Sequence, residues 1–295
     1  MAYHETKAPR RKSKKKFTLL KAFFLFLLIF FIWQIHINVS NLFSFILNGY
    51  QASATTDSFE DPYKDVPLHN YNWDNLSISS DNRVEYVGAK GDEALQGVDV
   101  SRYQGDIDWT KVKASGISFA MLRAGYRGYE SGKINIDEKF LQNIQQALAA
   151  DIQVGVYFFS QAITEEEAIE EADFVLQNIS SYQITYPIVF DLEEISSSDH
   201  RTHSLTKEQR TTIALAFCKR IKDAGYIPMV YGNASWLTDY YDLTQIIKYD
   251  IWLAQYADSP SYPYDFKMWQ YTNKGYVDGI NHIVDINLCF TSYET

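Results

Sequence analysis

The chain is poor in the residues that brace small proteins or bind transition metals. Its 295 residues include two cysteines, Cys218 and Cys289. A disulfide framework needs several pairs and a zinc site needs clustered Cys and His, so neither applies. Cys218 falls in "IALAFCKRI" and Cys289 in "VDINLCF". Apolar neighbours on both sides fit buried free thiols. No nucleophile signature surrounds either one. His200 and His203, in "DHRTH", read as part of a polar loop rather than as a zinc pair.

Positive charge is also scarce beyond the N-terminal region. The net charge is −10, but residues 1–50 carry eight Lys and Arg against one Glu, so the rest of the chain stands at −17. Phosphate recognition needs basic patches, which argues against a nucleic-acid partner. No cofactor is implied either. Long apolar runs are confined to one place, Phe17 to Ile37, with "AFFLFLLIFFIW" as its uncharged core. About 20 such residues span a bilayer as a helix. Seven cations from Lys7 to Lys16 precede it, and they put the N-terminus in the cytoplasm and the remainder outside. A cleavage site at Ala52-Ser53-Ala54 is the alternative. It lies far beyond the apolar run, so an uncleaved signal-anchor is the expectation.

What the chain has in abundance is aromatic residues, 16% of the total. Exposed rings often line sugar clefts, and a barrel core is their other common destination. Residues 38–95 are rich in Asn, Ser, Asp, Thr and Gly without a sustained period, and read as a stalk or a loosely packed extension, with Tyr71 and Trp73 able to dock on the domain. From residue 96 onward short apolar runs alternate with amphipathic stretches. Thr164, Ser204 or Thr206, and Gly225 supply helix caps. Strands alternating with helices predict parallel strands with helical crossovers, and eight runs fit a (β/α) barrel. The later strands leave little room for helices, so the expected fold is an irregular α/β, TIM-like barrel. The expected layout is a basic tail (1–16), a transmembrane helix (17–37), a stalk (38–95) and a barrel (96–295).

In such barrels the chemistry sits at the C-terminal ends of the strands. Those ends carry Asp99, Tyr157 with Gln161, Asp191 with Glu193, Tyr231, Gln255 with Tyr256, Trp269 with Gln270, and Asp285. "YPIVFDLEE" shows the pattern best, since an apolar strand stops abruptly in carboxylates. Asp191 and Glu193 are two apart, which on a strand means one face and a backbone separation of about 6.6–6.8 Å. Two carboxylates this close resist joint ionisation, so one retains a proton. An acid beside a negative charge is the equipment for glycosidic cleavage. Glu194 points the other way. Bland readings compete: a lone D-x-E recurs in solvated loops, and carboxylate rings also bind Ca²⁺ or Mg²⁺. A ligand-dense loop is missing, so no metal is expected. Asp137, in "NIDEKF", reads as a helix N-cap.

Taken in order, "GVDVSRYQGDIDW", "YFFSQA", "YPIVFDLE", "YGNASWL", "IWLAQYA", "MWQYT" and "VDINLCF" resemble the glycoside hydrolase family 25 lysozymes, the Chalaropsis-type muramidases. The resemblance spans residues 95–293. It implies an irregular α/β barrel that cuts the β-1,4 bond between N-acetylmuramic acid and N-acetylglucosamine in peptidoglycan. It implies Glu193 as proton donor and Asp191 as the stabiliser of the positive centre. Asp99 and Asp285 match the family's further acidic positions. Tyr157, Gln255, Trp269 and Gln270 would line the groove. The partners implied are peptidoglycan glycan strands, with the membrane held through the N-terminal helix. Two other readings stay open: an N-acetylhexosaminidase of different specificity on the same barrel, and a non-catalytic cell-wall glycan binder.

Overall fold

The computed structural model describes residues 62–195 and 200–293. The expected basic tail (1–16), the expected transmembrane helix (17–37) and the segment from 38 to 61 lie outside the described residues. Among the described residues no helix is long and apolar enough to cross a membrane.

Among the described residues eleven strands follow one another: β1 (Leu76–Ile78), β2 (Val84–Tyr86), β3 (Leu95–Val100), β4 (Phe119–Arg127), β5 (Ile134–Ile136), β6 (Gln153–Phe159), β7 (Ile188–Asp191), β8 (Pro228–Asn233), β9 (Asp250–Ala254), β10 (Met268–Gly275) and β11 (Val284–Cys289). Eight of them close into a barrel in the order β3-β4-β6-β7-β8-β9-β10-β11, because β3 pairs with both β4 and β11. The first seven run parallel, and β11 is antiparallel to both neighbours. β5 is a short hairpin return on β4.

The helices thin out along the chain, as the spacing predicts. α1 (Trp109–Ala114), α2 (Phe140–Ala149), α3 (Glu165–Ile179) and α4 (Lys207–Asp223) follow the first four parallel strands. Thr164 caps α3 by accepting the Glu167 amide, and Thr206 caps α4 in a reciprocal pair with Gln209. Gly225, at φ +89°, lets the chain leave α4 through the left-handed region that a Cβ disfavours. After β8 only α5 (Leu243–Ile246) and a π-turn at Trp236–Tyr240 remain, and residues 255–267 hold no helix.

Missing helices leave the outer faces of β9, β10 and β11 uncovered. The segment from residue 62 supplies the cover, and Tyr71 and Trp73 dock on the barrel. Residues 62–293 lie in one compact unit. Tyr71 stacks on Phe290 at 4.3 Å between ring centres, and its hydroxyl donates to the Phe266 carbonyl. Trp73 sits 6.2 Å from both Phe266 and Trp269. The β1–β2 hairpin adds Val84 and Tyr86 to the same core. Each aromatic pair adds about 0.5–1.5 kcal/mol beyond its buried area. The physical reason is simple: large apolar side chains facing outward from a helix-free strand need a lid.

Inside the barrel, alternation along the strands builds two layers. The lower layer is apolar: Phe119, Met121, Val189, Met229, Trp252, Met268 and Cys289. Gly97 belongs to it because the Phe119 ring occupies the place of any Cβ there, at 2.2 Å. Cys218 and Cys289 are both free and buried. On β3, β4, β6, β7, β8 and β10 the next inward position toward the C-terminal end is polar; on β9 it is Ala254, and on antiparallel β11 the polar positions, Asn287 and Asp285, lie toward the N-terminal end.

Candidate active site

The upper layer lines a cavity of about 390 Å³. Arg123, Asp191, Tyr231 and Gln270 are each two residues beyond an apolar inward residue, Asp99 and Tyr157 are two beyond a glycine, and Asp285 pairs in register with Asp99. Glu193, Trp252, Phe159, Tyr256 and Asn273 complete the lining. Four carboxyl groups therefore share one polar hole with a single cation among the lining residues, Arg123.

The carboxyls fall into two pairs. Asp99 and Asp285 face each other across the β3–β11 register. Asp99 Oδ2 accepts from Gln270 Nε2 at 2.9 Å and from Asn287 Nδ2 at 2.8 Å. Gln270 is itself held by the hydroxyls of Tyr231 (2.9 Å) and Tyr256 (2.8 Å), which both donate to its Oε1. Trp252 Nε1 donates to Asn287 Oδ1 at 2.8 Å and fixes that amide the same way. Two amide donors favour the charged form of Asp99, although burial pushes its pKa up. The proton of this pair belongs on Asp285, which burial and the Asp99 charge push up to about 8.

Asp191 and Glu193 form the second pair. Asp191 is the last residue of β7, and the chain beyond it keeps the alternation without ladder bonds: Leu192 is buried, Glu193 turns to the cavity and Glu194 is exposed. Asp191 is 4% exposed, its Oδ1 has no ordinary donor, and its carboxyl hydrogen-bonds that of Glu193. Such a contact needs one shared proton. Burial pushes Asp191 well up, followed by the charges of Glu193 and Asp99, with Arg123 acting against them. Burial, then the Asp99 charge, push Glu193 up to about 7. The two titrate as a unit, and their last proton is held into the neutral range. Of the two, Glu193 is the more open to the cavity, so it can hand that proton to a bound molecule.

Support for the loop comes from behind. Ser160 donates its amide to the Asp191 carbonyl at 2.7 Å and its hydroxyl to Glu171 at 2.6 Å, and Glu171 is paired with Arg127 at 2.7 Å. Asp137 is not an N-cap. It accepts Arg123 Nε at 2.8 Å and pairs with Nη2 at 2.7 Å, and it also takes the Arg102 and Lys139 amides. A buried carboxylate next to a buried guanidinium is spent on that pair.

Three residues expected at the groove lie elsewhere. Trp269 is fully buried on the outer face, with Nε1 donating to the Gln255 carbonyl at 2.7 Å. Its neighbour Gln270 faces inward, and adjacent strand residues cannot share a face. Gln255 has the same outward parity and pins a turn, with Nε2 donating to Ser261 Oγ and Oε1 accepting the Ser261 amide. Gln161 is buried between the Ser160 carbonyl and the Thr202 hydroxyl. Arg123, Phe159, Trp252, Asn273 and Asn287 were not anticipated. Arg123, a cation inside the otherwise apolar "FAMLRAG", was the signal for one of them.

The family model described as "Glycosyl hydrolases family 25" matches residues 98–280. Lysozyme M1 of Streptomyces globisporus is 30% identical over 223 residues, covering 72% of this chain and 72% of its own length. The bacterial lysozyme from Streptomyces coelicolor superposes with a TM-score of 0.59 at 28% identity, over 67% of this chain and 93% of that one. The modular autolysin LytC from Streptococcus pneumoniae shares the fold at a TM-score of 0.61 and 24% identity, over 72% of this chain. This chain spans about half of LytC, 52%. The chain belongs to the glycosyl hydrolases family 25 and is a glycoside hydrolase.

Proposed function

We propose that the protein is a muramidase, cutting the β-1,4 bond from N-acetylmuramic acid to N-acetylglucosamine in peptidoglycan. The observation that carries this reading is the Asp191–Glu193 pair, a buried and a partly buried carboxyl sharing a proton in a polar cavity. The likeness to lysozymes supplies the substrate class.

Glu193 donates its proton to the glycosidic oxygen as the bond to the anomeric carbon breaks. The positive charge that develops on the sugar ring is met by Asp191, directly or through the substrate's own acetamido group. Water then adds to the anomeric carbon, and its proton returns to the Glu193 carboxylate. Asp99 and Asp285 hold a second proton nearby. The Asp99 charge keeps the Glu193 proton in place until a basic leaving oxygen takes it. Tyr231, Tyr256 and Gln270 form one hydrogen-bonded wall for sugar hydroxyls.

Residues 1–61 belong to the same proposal. The basic tail and apolar run anchor the chain in the cell membrane as a single pass, N-terminus inside and catalytic domain outside. A body at −17 is poorly attracted to anionic wall polymers, and a tether raises local concentration where affinity does not.

Digestion of purified peptidoglycan, followed by mass analysis of the new reducing ends, tests the bond assignment. N-acetylmuramic acid at those ends is expected. N-acetylglucosamine ends would assign the other linkage, and no new ends would leave a glycan binder.

A further inference from the structure

A second cavity, of about 520 Å³, opens beside the acidic one and shares Arg123 and Phe159 with it. Its walls differ in kind. Tyr103, Tyr126 and Tyr129 supply rings, with Tyr103 66% exposed. The Arg102 guanidinium lies 5.3 Å from the centre of the Tyr103 ring and 5.8 Å from that of Tyr126. Arg123 lies 5.1 and 5.5 Å from the same two rings. Asp137, almost fully buried, binds both the Arg102 amide and the Arg123 side chain, so the two arginines are set by one anchor. Arg127 also lines the cavity but is committed to Glu170 and Glu171, and Glu130 sits among the lining residues. Arg102 pairs with the exposed Glu138 at 3.0 Å. The balance is three arginines and one carboxylate, against four carboxyls and one arginine next door.

This contrast matters for the substrate in the proposed function, on which the inference rests. The muramic acid at the scissile bond carries a lactyl group, and in peptidoglycan that group carries an acidic peptide. Its carboxylates are repelled by the Asp99 charge and by the charge that the Asp191–Glu193 pair retains. The nearest cationic surface continuous with the cleavage point is the Arg102–Arg123 corner. We propose that the second cavity binds the acidic stem peptide of the muramic acid being cut, with Arg102 and Arg123 pairing a peptide carboxylate. Tyr103 and Tyr126 pack the peptide's aliphatic part. The site therefore reads the peptide substituent as well as the sugar.

The test uses the full chain and two substrates: glycan strands that keep their peptides, and the same strands after an amidase has removed them. Removing the peptide hydrolyses its amide to the lactyl group and frees a lactyl carboxylate, so the two substrates present the peptide carboxylates and the lactyl carboxylate separately. Wild type is expected to prefer peptide-bearing strands. Arg102→Gln, on the surface and away from the carboxyl pairs, is expected to lose about 10-fold in kcat/KM on those strands, chiefly through KM, as for one charge-assisted contact. On stripped strands it is expected to stay within about 2-fold of wild type. Arg102→Lys should recover part of the loss. Equal losses on both substrates would move the contact to the sugar, and a loss confined to stripped strands would move it to the freed lactyl carboxylate; either result would overturn the proposal, as would no loss on either substrate. Wild type that cuts neither substrate would overturn the muramidase reading itself.

Discussion

Asp99→Asn isolates the electrostatics of the cavity. The side chain is 6% exposed, and its charge acts on Asp191, Glu193 and Asp285 alike. An asparagine can keep the geometry. Its carbonyl oxygen can take the donors of Gln270 and Asn287, and its amide then donates to Asp285. What disappears is one negative charge and one carboxyl–carboxyl hydrogen bond. For Asp285 those two causes rank just behind burial. Burial remains in the variant, so Asp285 stays above the ordinary carboxylate range. It should nevertheless fall from about 8 by about 1–2 pH units, the usual size of a single adjacent charge. Glu193 moves the same way, from about 7, because the Asp99 charge is its second cause after burial. The sign follows directly: a neighbouring anion holds protons on, and removing it releases them at lower pH. Carbon-detected carboxyl titration by NMR reads Asp285 and Glu193 separately, and the alkaline limb of the activity profile should shift down in parallel. An unmoved or rising Asp285 midpoint would refute the assignment of the charge to Asp99.

Three further outcomes are expected. Chelator should leave activity unchanged, since the chemistry described runs on carboxyls alone; loss restored by one divalent ion would make the four carboxyls a metal site. Trp73→Ala removes a half-buried ring from the lid over β10, where a full core truncation costs about 3–5 kcal/mol, so about 2–3 kcal/mol is expected here. That corresponds to a Tm lower by about 5–10 °C for a domain of this size, and an unchanged melt would favour reading residues 62–95 as a stalk. Protease added to intact, wall-stripped cells should degrade the catalytic domain. Protection there would defeat the outward topology, and a mature N-terminus near residue 55 would mean release by cleavage.

The barrel and its acidic centre were legible because both follow from period-2 alternation. "YPIVFDLEE" shows a buried strand ending in acids, and the structure brings Asp191 and Glu193 together for that reason. The same rule, applied strictly, separates Trp269 from Gln270 and Gln255 from Tyr256, since neighbours on a strand face opposite ways. Trp269 and Gln255 accordingly face away from the cavity that Gln270 and Tyr256 line. Parity would also have reached Asn287, two residues from Asp285, and Trp252, two before Ala254. The lid was harder to see. Its apolar residues, Tyr71, Trp73, Val84 and Tyr86, follow no single period because they reach the barrel from a turn and a short hairpin. Their need arises only from the helices missing beside β9 to β11, a property of the fold rather than of the segment.

The central claim is that Glu193 gives up the proton that cleaves the glycosidic bond. Glu193→Gln keeps shape and polarity and removes only that proton. General acid catalysis contributes about 10²–10⁴-fold, so kcat on purified peptidoglycan should fall by at least that order while substrate binding persists. Glu194→Gln, one residue on and exposed outside the acidic cavity, is the matched control and should stay near wild type. Activity retained in Glu193→Gln and lost in Glu194→Gln would contradict the account.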